Sequence, residues 1–116
     1  MLTENQQKWV DALRSGDYEQ TSETLQDEYG YCCLGVGCVV AEQNGVHVYR
    51  DGYGMVEGAT LESQALAKEW LGLADDTGSF KSSELVEKND EDGKSFAEIA
   101  DLIESNPPRL FVKASE

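Results

Sequence analysis

The ten residues Cys32-Cys-Leu-Gly-Val-Gly-Cys-Val-Val-Ala41 carry no charge, in a chain where 28% of all residues are charged. Such a run is buried either as a strand or as a helix, and periodicity alone does not separate the two. Asn44-Gly45 behind it is a helix stop. Gly35, Gly37 and Ala41 would permit close packing by neighbouring elements. The spacing therefore predicts a helix over about 33–43. The two glycines work against it, each costing about 1 kcal/mol relative to Ala in a helix interior.

Outward from this block the signals are local. On the N-terminal side, Thr3 and Gln6 have capping-box spacing, with Leu2 placed as a staple. Trp9, Val10 and Leu13 make an apolar stripe, and Gly16 is a C-terminal cap, so a helix is expected over 4–15. Residues 17–31 are rich in Thr and Tyr and read as a short hairpin. On the C-terminal side, Asp51-Gly52 between two β-prone runs predicts a hairpin near 46–57 with a two-residue turn. Thr60 caps an expected helix over 61–72, with Leu66, Trp70 and Leu73 on one face and Leu61 and Ala65 beside them. A short helix near 82–89 and a polar turn follow. Ser95 and Glu98 form a second capping box, opening a helix with Phe96, Ile99, Leu102 and Ile103 buried and Asn106-Pro107-Pro108 as its stop. The tail 109–113 adds an edge strand. The fold class is α+β: one helix-rich domain over 1–116 with a small antiparallel sheet.

At 116 residues the chain suits one domain. It carries 9 basic and 23 acidic residues, a net charge of −14. Direct binding to nucleic acid or to an anionic membrane is disfavoured, because both would repel this surface. No apolar run approaches the ~20 residues of a membrane span, and the opening residues lack the basic and apolar regions of a signal peptide. A cytoplasmic protein is expected. The cysteines agree: Cys32, Cys33 and Cys38 are an odd number, crowded together, and do not form a disulfide framework. A Cys33–Cys38 bridge would stay open in a reducing compartment.

Asp90, Asp92 and Gly93 match positions 3, 5 and 6 of a calcium-binding EF-hand loop, but Lys88 and Ile99 would fall at its first and last ligand positions, so no calcium site is expected. Cys32, Cys33, Cys38 and His47 would supply four zinc ligands, yet their spacing fits no familiar knuckle, and no metal is expected. Cys32 and Cys33 lie near a helix N-terminus, which lowers a thiol pKa, while apolar surroundings raise it. His47, the only histidine, falls in an expected surface strand. Phosphate-binding and dinucleotide-binding glycine motifs are absent from the sequence, and no carboxylate pair stands out. No catalytic set and no cofactor are predicted.

Two surfaces remain. Glu84, Glu87, Asp90, Glu91, Asp92, Asp101 and Glu104, with Glu98 among them, crowd two helices and a turn, where they would display a negative stripe resembling a phosphate backbone. That stripe would steer the protein toward a basic partner. The alternative is a small-molecule site, in which Arg14, Tyr18, Tyr31, Tyr49, Arg50 and Tyr53 hold a nucleotide-like ligand. The tyrosines, Tyr29 included, would equally serve as anchors of a protein interface.

Three blocks carry a resemblance: Lys8-Trp-Val-Asp-Ala-Leu-Arg-Ser-Gly-Asp-Tyr-Glu-Gln20, Tyr31-Cys-Cys-Leu-Gly-Val-Gly-Cys38 and Gly93-Lys-Ser-Phe-Ala-Glu-Ile-Ala-Asp-Leu-Ile-Glu104. In this order they resemble small uncharacterised proteins of tailed phages and prophages. The resemblance implies a phage origin and action in the bacterial cytoplasm, and it transfers no catalytic residue. By analogy such a protein is an accessory factor that binds host machinery or counters host defence. The leading expectation is a phage-encoded accessory protein that binds a host protein through an acidic, DNA-mimicking surface. The alternatives are a protein that sequesters a signalling nucleotide and, third, a small hydrolase.

Overall fold

A computed structural model describes residues 2–80, 83–91 and 93–112. Its centre is α2 (Cys33–Gln43), in which every residue from Cys33 to Ala41 is buried. A helix that is apolar on all sides must be surrounded. α1 (Glu4–Arg14), α3 (Ala65–Leu71) and α4 (Leu85–Asp90) pack around it, and α5 (Phe96–Glu104) closes over α1 and α4. The glycines of α2 make this approach possible. A Cβ on Gly35 would lie 1.8 Å from the Leu25 carbonyl oxygen, and one on Gly37 would lie 2.7 Å from a Leu71 methyl. Trp9 of α1 is fully buried and donates its indole N–H to the Cys33 carbonyl at 2.9 Å. Among the described residues, no helix is long and apolar enough to cross a membrane.

Both expected capping boxes form. Thr3 and Gln6 exchange hydrogen bonds at the start of α1, and Ser95 and Glu98 do so at the start of α5. The α+β class also holds, with the expected hairpin at 46–57 present as a short antiparallel pairing and a second pair of strands formed where none was expected. The regular sheet pairs β1 (Ser79–Phe80) with β2 (Ser83–Glu84), antiparallel, where a helix was expected to begin. The 46–57 segment keeps only one bridge, Arg50 to Val56. Its turn is wider than two residues. Asp51 accepts the N–H groups of Tyr53 and Met55, and Gly54 rather than Gly52 takes the left-handed conformation, at φ 81°. Residues 17–31 form a loop with isolated bridges from Gln20 and Gln26 to Tyr31 in place of a hairpin. The tail contributes one bridge, Phe111 to Leu73.

The strand edges end early because side-chain amides take their place. Gln64, 1% exposed, accepts the Tyr49 N–H and donates to the carbonyls of Tyr49 and Glu57. The amide thus inserts between the Tyr49 N–H and the Glu57 carbonyl, while the Glu57 N–H still donates to the Tyr49 carbonyl at 3.0 Å. Gln6 donates to the Leu71 carbonyl, and Gln26 accepts the Val56 N–H. Gln64 also explains a shifted helix face. It separates a 3-10 turn (Leu61–Ser63) from α3, and this break rotates the stripe. Ala67, Leu71 and Leu73 are buried, whereas Leu66 is 49% exposed and Trp70 half-buried.

Candidate functional site

The acids picked from sequence fall into two groups. Asp101 and Glu104 lie one turn apart on α5 and both accept from Arg14 of α1, at 2.6 and 3.0 Å. Hydrogen bonds donated to Glu104, then to Asp101, raise the Arg14 pKa, and Arg14 in turn holds Glu104 below the ordinary carboxylate range. These two carboxylates are committed to joining α1 to α5.

Glu84, Glu87, Asp90 and Glu91 lie on and beside α4. Together with Glu23 and Val86 they line one open depression of about 190 Å³. Glu23 comes from the 17–31 loop, where it adopts a left-handed φ of 69°. Among the described residues, no ion pair closes on Glu84, Glu87, Asp90 or Glu91. Their hydrogen bonds are to neutral groups: Thr77 donates to Glu84 at 2.9 Å, Ser83 to Glu87 at 3.2 Å, and Asn89 to Asp90 at 2.8 Å. Asp92 lies outside the described residues.

Asn89 fixes α4 in place. It is 5% exposed, and its Oδ1 accepts from Gln20 (2.8 Å) and from the Cys33 N–H (3.2 Å). Its Nδ2 donates to the Thr21 carbonyl as well as to Asp90. The Cys33 N–H is one of the first-turn donors that a helix leaves without an internal partner. Asn89 therefore ties α4, the 20–21 loop and the N-terminus of α2 at one point. Nothing in the local pattern marked Asn89 or Glu23 as part of a site, because their partners are remote in sequence.

All three thiols are free and buried in the core. Cys32 caps α2 by accepting the Gly35 N–H at 3.4 Å, a weak sulfur hydrogen bond. Burial decides all three values. It pushes Cys32 up to about 11 and Cys38 up to about 12, and raises Cys33 well above the usual thiol range. The favourable helix terminus is overruled, and each sulfur stays protonated at neutral pH. His47 is exposed and meets Tyr49 edge-to-face at 4.6 Å, with no thiol beside it. Among the described residues, no three His, Cys, Asp or Glu side chains converge as a metal-ligand set.

The six residues of the small-molecule alternative are divided as well. Arg14 faces α5. Arg50 pairs with Glu42 and donates to the Gly54 carbonyl at 2.6 Å, holding the Glu42 carboxyl low. Tyr18 and Tyr31 meet edge-to-face at 5.4 Å. Gln26 bridges Tyr31 and Arg50, and Tyr31 is also near enough to act on Arg50 electrostatically. Tyr49 and Tyr53 are 50% and 90% exposed. A groove of about 630 Å³ lies between the start of α1, the end of α3 and the tail, lined by Trp70, Pro107, Arg109 and Phe111 but by none of the six.

A family model described as "Domain of unknown function (DUF8296)" matches residues 1–107. No curated protein and no solved structure matches the chain.

Proposed function

The chain belongs to that domain family, and from this premise we propose a non-enzymatic role: it binds a basic protein through the acidic surface around α4. One observation carries the reading. Five carboxylates from two separate segments, Glu23, Glu84, Glu87, Asp90 and Glu91, meet at one open depression. Like charges held together repel, and a cationic partner relieves that repulsion while the surrounding field speeds its approach. A negative surface of this kind competes for the face that a nucleic-acid-binding protein offers to phosphates. The resemblance of the Cys32–Cys38 and Ser95–Ala100 blocks to small phage proteins supports a host protein as partner and the bacterial cytoplasm as the place of action.

The test is affinity capture from bacterial lysate with two charge-matched variants. One carries Glu23→Lys, Glu87→Lys and Glu91→Lys. The other carries Asp17→Lys, Glu62→Lys and Glu69→Lys, all at exposed positions. A basic protein retained by wild type and by the second variant, lost by the first and released by salt, is the expected result. Equal retention by both variants, insensitive to salt, removes the proposal.

A further inference from the structure

Two surface turns share one construction. In the first, Asp27 Oδ1 accepts the N–H groups of Tyr29 (2.8 Å) and Gly30 (3.1 Å). In the second, Asp51 Oδ1 accepts those of Tyr53 (2.8 Å) and Met55 (3.1 Å). Each is an Asp-x-Tyr turn in which a carboxylate pins the backbone of the tyrosine two residues on. Thr21 steadies Asp27 by donating to its other oxygen at 2.8 Å.

Gln26 joins the two turns. Its Oε1 accepts the Val56 N–H at 2.8 Å and Arg50 at 3.4 Å, and Arg50 also reaches the Gly54 carbonyl. Both tyrosines thus ride on one braced unit. Yet their side chains stand in solvent, Tyr29 at 74% and Tyr53 at 90% exposure. A fixed backbone under a free aromatic ring lowers the ordering cost of burying that ring against a partner, and tyrosine is enriched among residues that dominate interfaces.

The surroundings define the partner group. Glu28 and Asp51 are exposed on the same two turns and Glu57 just beyond the second, Asp27 is half-buried with both oxygens engaged, and Arg50 is already held by Glu42. Aromatic faces set among carboxylates suit a guanidinium, which stacks on the ring while its N–H groups reach the acids. An ammonium satisfies the charge alone.

We propose that Tyr29 and Tyr53, with the exposed Glu28 and Asp51, form a contact surface for an arginine-bearing segment of the basic partner. The proposal rests on the acidic-binding reading above and names the side chain that this partner presents.

The test titrates the full chain with nona-arginine and with nona-lysine by calorimetry. Wild type is expected to bind the arginine peptide about fivefold more tightly or better, the yield of two exposed cation–π contacts. Tyr29→Ala with Tyr53→Ala should bring arginine binding down to the lysine level and leave lysine binding unchanged. Tyr29→Phe with Tyr53→Phe should keep the preference, since the rings remain. Equal binding of both peptides by wild type, or a preference that survives the alanine pair, overturns the proposal. Self-association that the alanine pair abolishes assigns the surface to a second copy and overturns it too. Failure of the underlying reading looks different: neither peptide then responds to Glu23→Lys, Glu87→Lys and Glu91→Lys.

Discussion

Two acidic regions of this molecule look alike in sequence and behave differently in the fold. On α5, Asp101 and Glu104 are drawn onto Arg14 and serve as a joint between the first and last helices. Around α4, Glu84, Glu87, Asp90 and Glu91 gather with Glu23 at an open depression and bond to hydroxyls and an amide instead. A count of carboxylates therefore says little about function. What matters is which of them the tertiary structure has already used.

The comparison breaks most severely at Asn89, which holds the α4 side together. Asn89→Leu strands the Cys33 N–H and the Thr21 carbonyl, and unmet buried groups cost roughly 1–3 kcal/mol each. We expect a loss of about 3 kcal/mol in urea denaturation, on the low side of that sum because water reaches part of the loop. A change within about 0.5 kcal/mol, the size of an ordinary surface substitution, would show that Asn89 is not the anchor.

Acid titration sharpens the comparison next. Hydrogen bonds from Arg14 to Glu104, from Arg50 to Glu42, from Thr21 and the Tyr29 N–H to Asp27, and from the Ser95 backbone to Glu98 hold these carboxyls below their ordinary values. A group lowered in the folded state adds stability above its unfolded pKa and loses it as pH falls through the folded one. Melting temperature should therefore hold down to about pH 5 and drop below about pH 4, where free carboxyls begin to protonate. A drop already under way between pH 7 and 5 would contradict this assignment.

The smallest effect is expected from Arg14→Ala. Arg14 is exposed enough that solvent screens its pairs. Melting should fall slightly, and salt should erase the difference from wild type. Binding of a basic peptide should rise slightly, because Asp101 and Glu104 are released. Weaker binding would mean that the α5 acids, joined to Arg14, belong to the contact surface.

The helices were legible because their signals are local. Thr3 with Gln6 and Ser95 with Glu98 announced two starts, and the uncharged block 32–41 with its Asn44-Gly45 stop announced the central helix. The 46–57 hairpin was legible from Asp51-Gly52, but its interruption was not, since Gln64, 15 positions from Tyr49, inserts between the Tyr49 N–H and the Glu57 carbonyl. The helix face of 65–71 was misplaced for the same reason, as Gln64 also interrupts the period. At the candidate site, the sequence marked the acids but not their division. Arg14 lies 87 positions from Asp101, and no spacing rule links them. Glu23 sits in a loop without period and was missed, although it lines the same depression as Glu84 and Glu91.

The most direct test is a map of amide chemical shifts as nona-arginine is added to the folded chain. The account predicts shifts at residues 20–31, 50–56 and 83–91, with α5 little changed and all shifts fading as salt is raised. Shifts centred on 96–104, or spread evenly over every acidic residue, would contradict it.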